Sequence, residues 1–90
     1  MPTPIDSLLF RVFDAEVERK AKAMEDLGFP SLASAYRSSL VRSATLEKVR
    51  GTQAFKDAEE AYIKGEIEQN VLSQLLGIVK TVLPLVLAAI

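Results

Sequence analysis

The sequence predicts an all-α fold: an N-terminal antiparallel helical hairpin followed by a long C-terminal helix with an apolar tail. Three observations predict it. Apolar residues recur at spacings of three and four, the mark of an amphipathic helix. No stretch alternates with the period of two that a half-buried strand requires. Helix-stop signals, "LGFP" at 27–30 and "RGT" at 50–52, divide the pattern. Together they place amphipathic helices at 4–27, 31–50 and 53–70, with an apolar helix over 71–90.

The first helix opens at "TPID". Thr3 is placed to cap, Pro4 suits the first helical position, and Asp6 complements the positive end of the helix dipole. Ile5, Leu8, Leu9, Val12, Phe13, Val17, Ala21, Met24 and Leu27 then form one apolar face. Charge fills the other face, with Glu18 and Lys22 four residues apart. The stop is specific. Gly28 is placed to adopt the left-handed conformation that a Cβ would penalise, and Phe29 to fold back toward Met24 as in a Schellman cap. Pro30 then prevents continuation. The chain must turn sharply there, and a connection so short implies an antiparallel partner.

The second helix is sparse in large apolar residues. Ser31 is its expected cap, and Leu32, Ala35, Tyr36, Leu40, Ala44 and Val49 its inner face. Gly51 and Thr52 read as a weaker stop and cap, and a helix running through Gly51 is the competing reading. Phe55, Ala58, Ala61, Tyr62, Ile67 and Val71 continue the helical spacing. Gly65 lies within that stretch and reads by default as a tolerated interior glycine, at a cost of about 1 kcal/mol relative to Ala, with a close contact or a bend as the alternative.

The final stretch poses a solvent problem. Twelve of the twenty residues from Val71 to Ile90 are Leu, Ile or Val. Twenty helical residues span about 30 Å, the hydrocarbon thickness of a bilayer. Aliphatic residues at about −0.3 to −0.6 kcal/mol each total roughly −4 to −7, against about +2.5 to +3.5 for a central Lys80. Insertion is marginal by that arithmetic. On a helix, Leu72, Leu75, Leu76, Val79, Val82, Leu83, Val86 and Ile90 fall into a heptad-like seam. Ser73, Gly77, Lys80, Thr81, Pro84 and Ala88 fall broadly opposite. A lipid-facing helix has no need of that segregation. A helix packed against copies of itself does, although small-residue faces also mediate contacts within membranes.

Composition narrows the function classes. Ninety residues make one small domain, and chains of this size bury only about 60–65% of their unfolded surface, so partners are a natural source of stability. There is no Cys and no His, which removes thiolate sites, the commonest metal ligand and the usual general base. No catalytic, cofactor-binding or metal-ligating residue is expected. No phosphate-binding loop, nucleophile elbow, zinc helix or EF-hand loop occurs. The net charge of −1 gives no field toward nucleic acid, and Tyr36 with Arg37 and Arg42 reads as a packed Tyr beside surface Arg. Charge is uneven all the same. Residues 31–50 carry a net +3 and residues 52–70 a net −3, which reads either as ordinary solvated helix faces, the commoner case, or as segments that pair within a chain or between copies. The N-terminal stretch has no basic region before an apolar run, so no secretory signal peptide is expected.

"PSLASAYRSSL" (30–40), followed by "AFKDAEEAYI" (54–63), resembles the turn and second helix of type III secretion needle subunits. The spacing between the two pieces differs, and the apolar extension from Ser73 has no counterpart in those proteins. The resemblance implies a class, small helical hairpins that polymerise into a hollow filament. The expectation is therefore a non-enzymatic structural subunit of a homo-oligomeric or multi-component assembly: a virion, secretion or membrane-complex part. Its contacts would lie at Leu72, Leu75, Leu76, Val79, Lys80, Leu83, Val86 and Ile90, with Lys80 facing a lumen or a partner carboxylate. The alternative is a tail-anchored or membrane-inserting small helical protein using residues 71–90. No small-molecule substrate is expected, and nothing in the residues specifies a compartment.

Overall fold

A computed structural model describes residues 4–89; the Thr3 cap and Ile90 lie outside the described residues. Five helices follow in order: α1 (Pro4–Asp26), α2 (Pro30–Tyr36), α3 (Ser39–Arg50), α4 (Gln53–Ile63) and α5 (Glu68–Ala89), with no strand among the described residues. The body is elongated, 44 × 22 × 22 Å.

The first stop forms as the sequence specifies. Gly28 takes φ +86°, its N–H donates to Glu25 O at 3.0 Å, and the Phe29 N–H donates to Met24 O at 2.8 Å. These are the two Schellman bonds. The Phe29 ring stays 55% exposed, so the cap rests on the backbone bonds more than on ring burial. Pro30 occupies the first turn of α2, so that helix starts one residue earlier than expected and Ser31 is not its cap. Proline suits that position because it has no N–H to leave unpaired.

Two breaks depart from the expected boundaries. The expected single helix over 31–50 divides at Arg37 and Ser38, where Ser38 Oγ accepts from the Leu40 N–H at 3.2 Å and starts α3. Serine competes for its own backbone in this way, which is why it favours caps over helix interiors. The expected helix over 53–70 ends at Ile63. Gly65, at φ +81°, is a second Schellman glycine: its N–H reaches Tyr62 O at 3.1 Å, and the Glu66 N–H reaches Ala61 O at 3.1 Å. Reading Gly65 as a tolerated interior residue missed this. Gly51 is the reverse case. The break there exists, but Gly51 has an ordinary φ of −83°. Thr52 makes the joint: its Oγ1 donates to Val49 O at 2.7 Å and accepts from the Phe55 N–H at 3.1 Å.

The three glycines therefore predict different outcomes on substitution. Gly28→Ala and Gly65→Ala each place a Cβ in the left-handed region, at about 1–2 kcal/mol. At Gly51 a Cβ would meet Lys48 O at 3.5 Å and Glu47 O at 3.8 Å, both ordinary contacts. Gly51→Ala should leave stability unchanged or raise it by about 0.4–1 kcal/mol through the unfolded chain. Urea midpoints of the three variants check this ordering.

The hairpin is antiparallel, and ion pairs record its register. Arg37 donates to Glu18 at 2.8 Å and to Glu25 at 2.7 Å, Arg42 to Asp14 at 2.8 Å, and Arg50 to Asp6 at 3.2 Å. The basic residues of 31–50 thus pair with α1 and not with the acidic segment 52–70, because α2 and α3 lie along α1. Glu18 bonds Arg37 and not Lys22, four residues on: the Arg37 hydrogen bond and charge hold its carboxyl below the usual range. The guanidinium of Arg42 also lies 5.5 Å from the Phe10 centroid and 5.7 Å from that of Phe13. Exposed pairs contribute about 0–1 kcal/mol each, so they specify register more than stability.

The core is one cluster. Ile5, Leu9, Phe13 and Val17 of α1 meet Val41 and Val49 of α3, Phe55 and Ala58 of α4, and most of the inner face of α5. Helix α5 contacts α1, α3 and α4. Thr45 lies fully buried on α3, and its Oγ1 has no hydrogen-bond partner. Such a hydroxyl is a penalty that an apolar isostere removes. Thr45→Val is accordingly expected to stabilise the fold by about 1 kcal/mol, read as a higher thermal midpoint with an unchanged helical spectrum.

Candidate functional site

The surface singled out by the sequence is α5. Its segregation into two faces is present. Val71, Leu75, Ile78, Val79, Val82, Leu83 and Val86 are buried, while Ser73, Gly77, Lys80, Thr81, Pro84 and Ala88 are exposed. Leu72 and Leu76 are half-buried. The buried stripe is wider than a heptad seam because three helices, not one, pack around it. Val71 and Ile78, left out of the seam, belong to it for that reason. The inner face of α5 is covered by this chain's own α1, α3 and α4. Leu75, Val79, Leu83 and Val86 are spent on that core.

What α5 leaves outward borders α4. An open groove of about 700 Å³ runs between the two helices, with Ala54, Ala61, Gly77, Ile78, Thr81 and Val82 among its walls and Asp57 and Glu66 on its rim. Its width follows from the residues: a glycine and two alanines supply little bulk, and the Thr81 hydroxyl is turned onto Gly77 O at 3.0 Å. No atom outside α5's own backbone lies within 4 Å of a Cβ built on Gly77. At the closed end of this helical hairpin, Ile63 and Ile67 flank the Gly65 turn and are 77% and 70% exposed. Sequence periodicity had assigned Ile67 to an inner helical face. The turn at Gly65 rotates it out of that face.

A second apolar group sits at the α1–α2 turn, where Leu27, Phe29 and Leu32 are all exposed. Gly28 and Pro30, the turn residues between them, are exposed as well. On the α1 side of α5, Lys80 is exposed and has no ion pair among the described residues. It borders the same groove as Arg11, Glu16, Arg19, Leu72 and Leu76. Glu16 is the buried carboxylate there, held by Arg19 at 2.7 Å and 3.2 Å. Among the described residues, no group of three or more acidic, His or Cys side chains is placed to hold a metal ion. The chain matches no protein-family model, no curated protein and no solved structure.

Proposed function

We propose that this chain is a non-enzymatic structural subunit whose α4–α5 hairpin packs against other chains of an assembly. One observation carries the reading: two isoleucines stand 77% and 70% exposed at the tip of a hairpin whose side is an open groove lined by small residues. A turn needs no large aliphatic side chain. Two of them on a chain this small amount to an apolar patch without a cover, and such patches mark interaction sites. Small residues beside the patch allow a partner helix to approach closely.

The membrane alternative keeps one supporting fact: α5 is long and apolar enough to cross a bilayer. Magnitudes weigh against it. Withdrawing α5 into a bilayer would keep its own aliphatic side chains out of water but uncover the five residues Leu9, Phe13, Val41, Val49 and Phe55 that it helps to bury, at about 1.5–3 kcal/mol each, or roughly 7–15 kcal/mol together. Insertion returns about 0.5–4.5 kcal/mol once Lys80 is counted. Protein contact through the outer surface needs no such sacrifice.

Sedimentation of the full-length chain tests the proposal. Species larger than a monomer are expected, and Ile63→Asp with Ile67→Asp should return them to monomer without loss of helix. A monomer across the accessible concentration range, in the absence of added partners, would sink the homo-oligomeric form. Gly77→Ala fits the isolated fold, with a gain of about 1 kcal/mol, so a loss of assembly in that variant would place the contact in the groove.

A further inference from the structure

The α1 side of α5 carries a feature that the assembly reading does not use. A narrow notch of about 190 Å³ is bordered by Glu16, Arg19, Lys20, Tyr36, Lys80 and Pro84, so it draws on α1, α2 and α5. Its charge is not balanced. The Glu16 side chain is 3% exposed and accepts two hydrogen bonds from Arg19, so these two neutralise each other. Lys20 and Lys80 remain, brought together from different helices, and neither has an ion-pair partner among the described residues. Two lysines lining one small concavity repel each other, and an anion between them reverses that sign.

The remaining groups suit a particular anion. The Tyr36 hydroxyl makes no hydrogen bond within the described residues and is free to donate. Pro84 lies inside α5 and has no N–H, so the Lys80 carbonyl lacks its helical donor. The notch thus offers two cations and a hydroxyl donor, and its walls include Pro84, whose missing N–H leaves the Lys80 carbonyl without a helical donor. A carboxylate would use only the donors. A hydrogenphosphate or phosphate monoester carries the charge to match two lysines, and its own O–H can serve the orphan carbonyl.

We infer that this notch binds a phosphoryl group, held by Lys20, Lys80 and Tyr36, with buried Glu16, bonded by the exposed Arg19, forming the wall behind it. The group belongs either to a soluble phosphate compound or to a lipid headgroup, and Leu85, 55% exposed one residue beyond Pro84, would accompany the latter into a bilayer surface. The inference does not depend on the assembly reading, because it uses the opposite side of α5.

The test titrates inorganic phosphate into full-length protein, with sodium chloride holding ionic strength constant, and follows lysine side-chain resonances. A saturable shift at Lys20 and Lys80 is expected. Lys80→Met should weaken binding about tenfold, the usual effect of losing one charge-assisted hydrogen bond. Lys20→Met with Lys80→Met should abolish it. Unliganded thermal midpoints check that both variants keep the fold, and Lys80, being exposed, keeps the test open if Lys20→Met does not fold. A parallel arm uses phosphatidylcholine vesicles with and without phosphatidic acid. Saturation by inorganic phosphate with no vesicle binding assigns a soluble ligand, and lysine-dependent retention on phosphatidic acid vesicles assigns a lipid. A response equal to that of chloride, or one unchanged in the lysine variants, overturns the inference.

Discussion

A chain cut at Gly65, ahead of α5, is expected to have no cooperative unfolding transition. Helix α5 supplies seven buried side chains and contacts α1, α3 and α4. Removing it uncovers Leu9, Phe13, Val41, Val49 and Phe55 in the fragment that remains. Burial of the seven α5 side chains is worth roughly 10–20 kcal/mol before entropy is counted. A domain of this length is stable by about 5–13 kcal/mol in total, so no plausible residue of stability survives. The fragment should show reduced far-UV ellipticity and collapsed amide dispersion. A simple anchor attached to an independent soluble head predicts the opposite: a folded, soluble hairpin after truncation. A sharp thermal transition in the fragment would establish that α5 is dispensable to the fold.

The second large effect is expected at Phe13. It is the largest of the side chains exposed by less than 2%, and it sits on the α1 face that the rest of the cluster covers. Phe13→Ala removes a buried ring and leaves a cavity, at about 3–5 kcal/mol. It also removes one of the two rings beneath Arg42. Phe10→Ala separates these contributions. Phe10 is only half-buried but lies 5.5 Å from both Arg42 and Arg50. Its loss should cost distinctly less than that of Phe13, because cation–π contacts at exposed sites contribute about 0.5–1 kcal/mol. The readout is the denaturant midpoint with the slope held constant. Equal costs at the two positions would mean that the arginine stack, not core packing, dominates this face.

The helical class and the Gly28 stop were legible because each rests on local chemistry. A glycine with a proline two residues on has few other solutions, and spacings of three and four need no tertiary knowledge. The break at Ser38 was less legible, since five serines between 31 and 43 blur which one caps. The Gly65 stop was hidden because apolar residues, Ile63, Ile67 and Val71 among them, hold helical spacing across it, and the single φ > 0 that makes the turn leaves no mark on that spacing. The two-faced character of α5 was visible, but not what covers it. A seam of Leu and Val has the same pattern whether its partner is lipid, a second chain or the helix sixty residues earlier. That ambiguity is physical: apolar burial is non-directional. The notch was invisible as a site because Lys20, Tyr36 and Lys80 share no local motif and meet only through the packing of α1, α2 and α5.

The pairing of α1 with α5 has a consequence for how the chain comes into being. The two helices run in the same direction, with Arg11 bonded to Glu68 at 2.7 Å and Lys20 beside Leu83. Parallel neighbours cannot be joined by a tight turn, so everything between them must be synthesised before they meet. At about 5–20 residues per second, the interval from Asp26 to Ala89 lasts roughly 3–13 s. Throughout it, Phe13 and Leu9 wait on a nascent helix with α2 and α3 as their only shelter. The protein's vulnerable moment is therefore set by the ribosome's pace, and slowing translation within the last third of the message should increase aggregation even though the finished fold is unchanged.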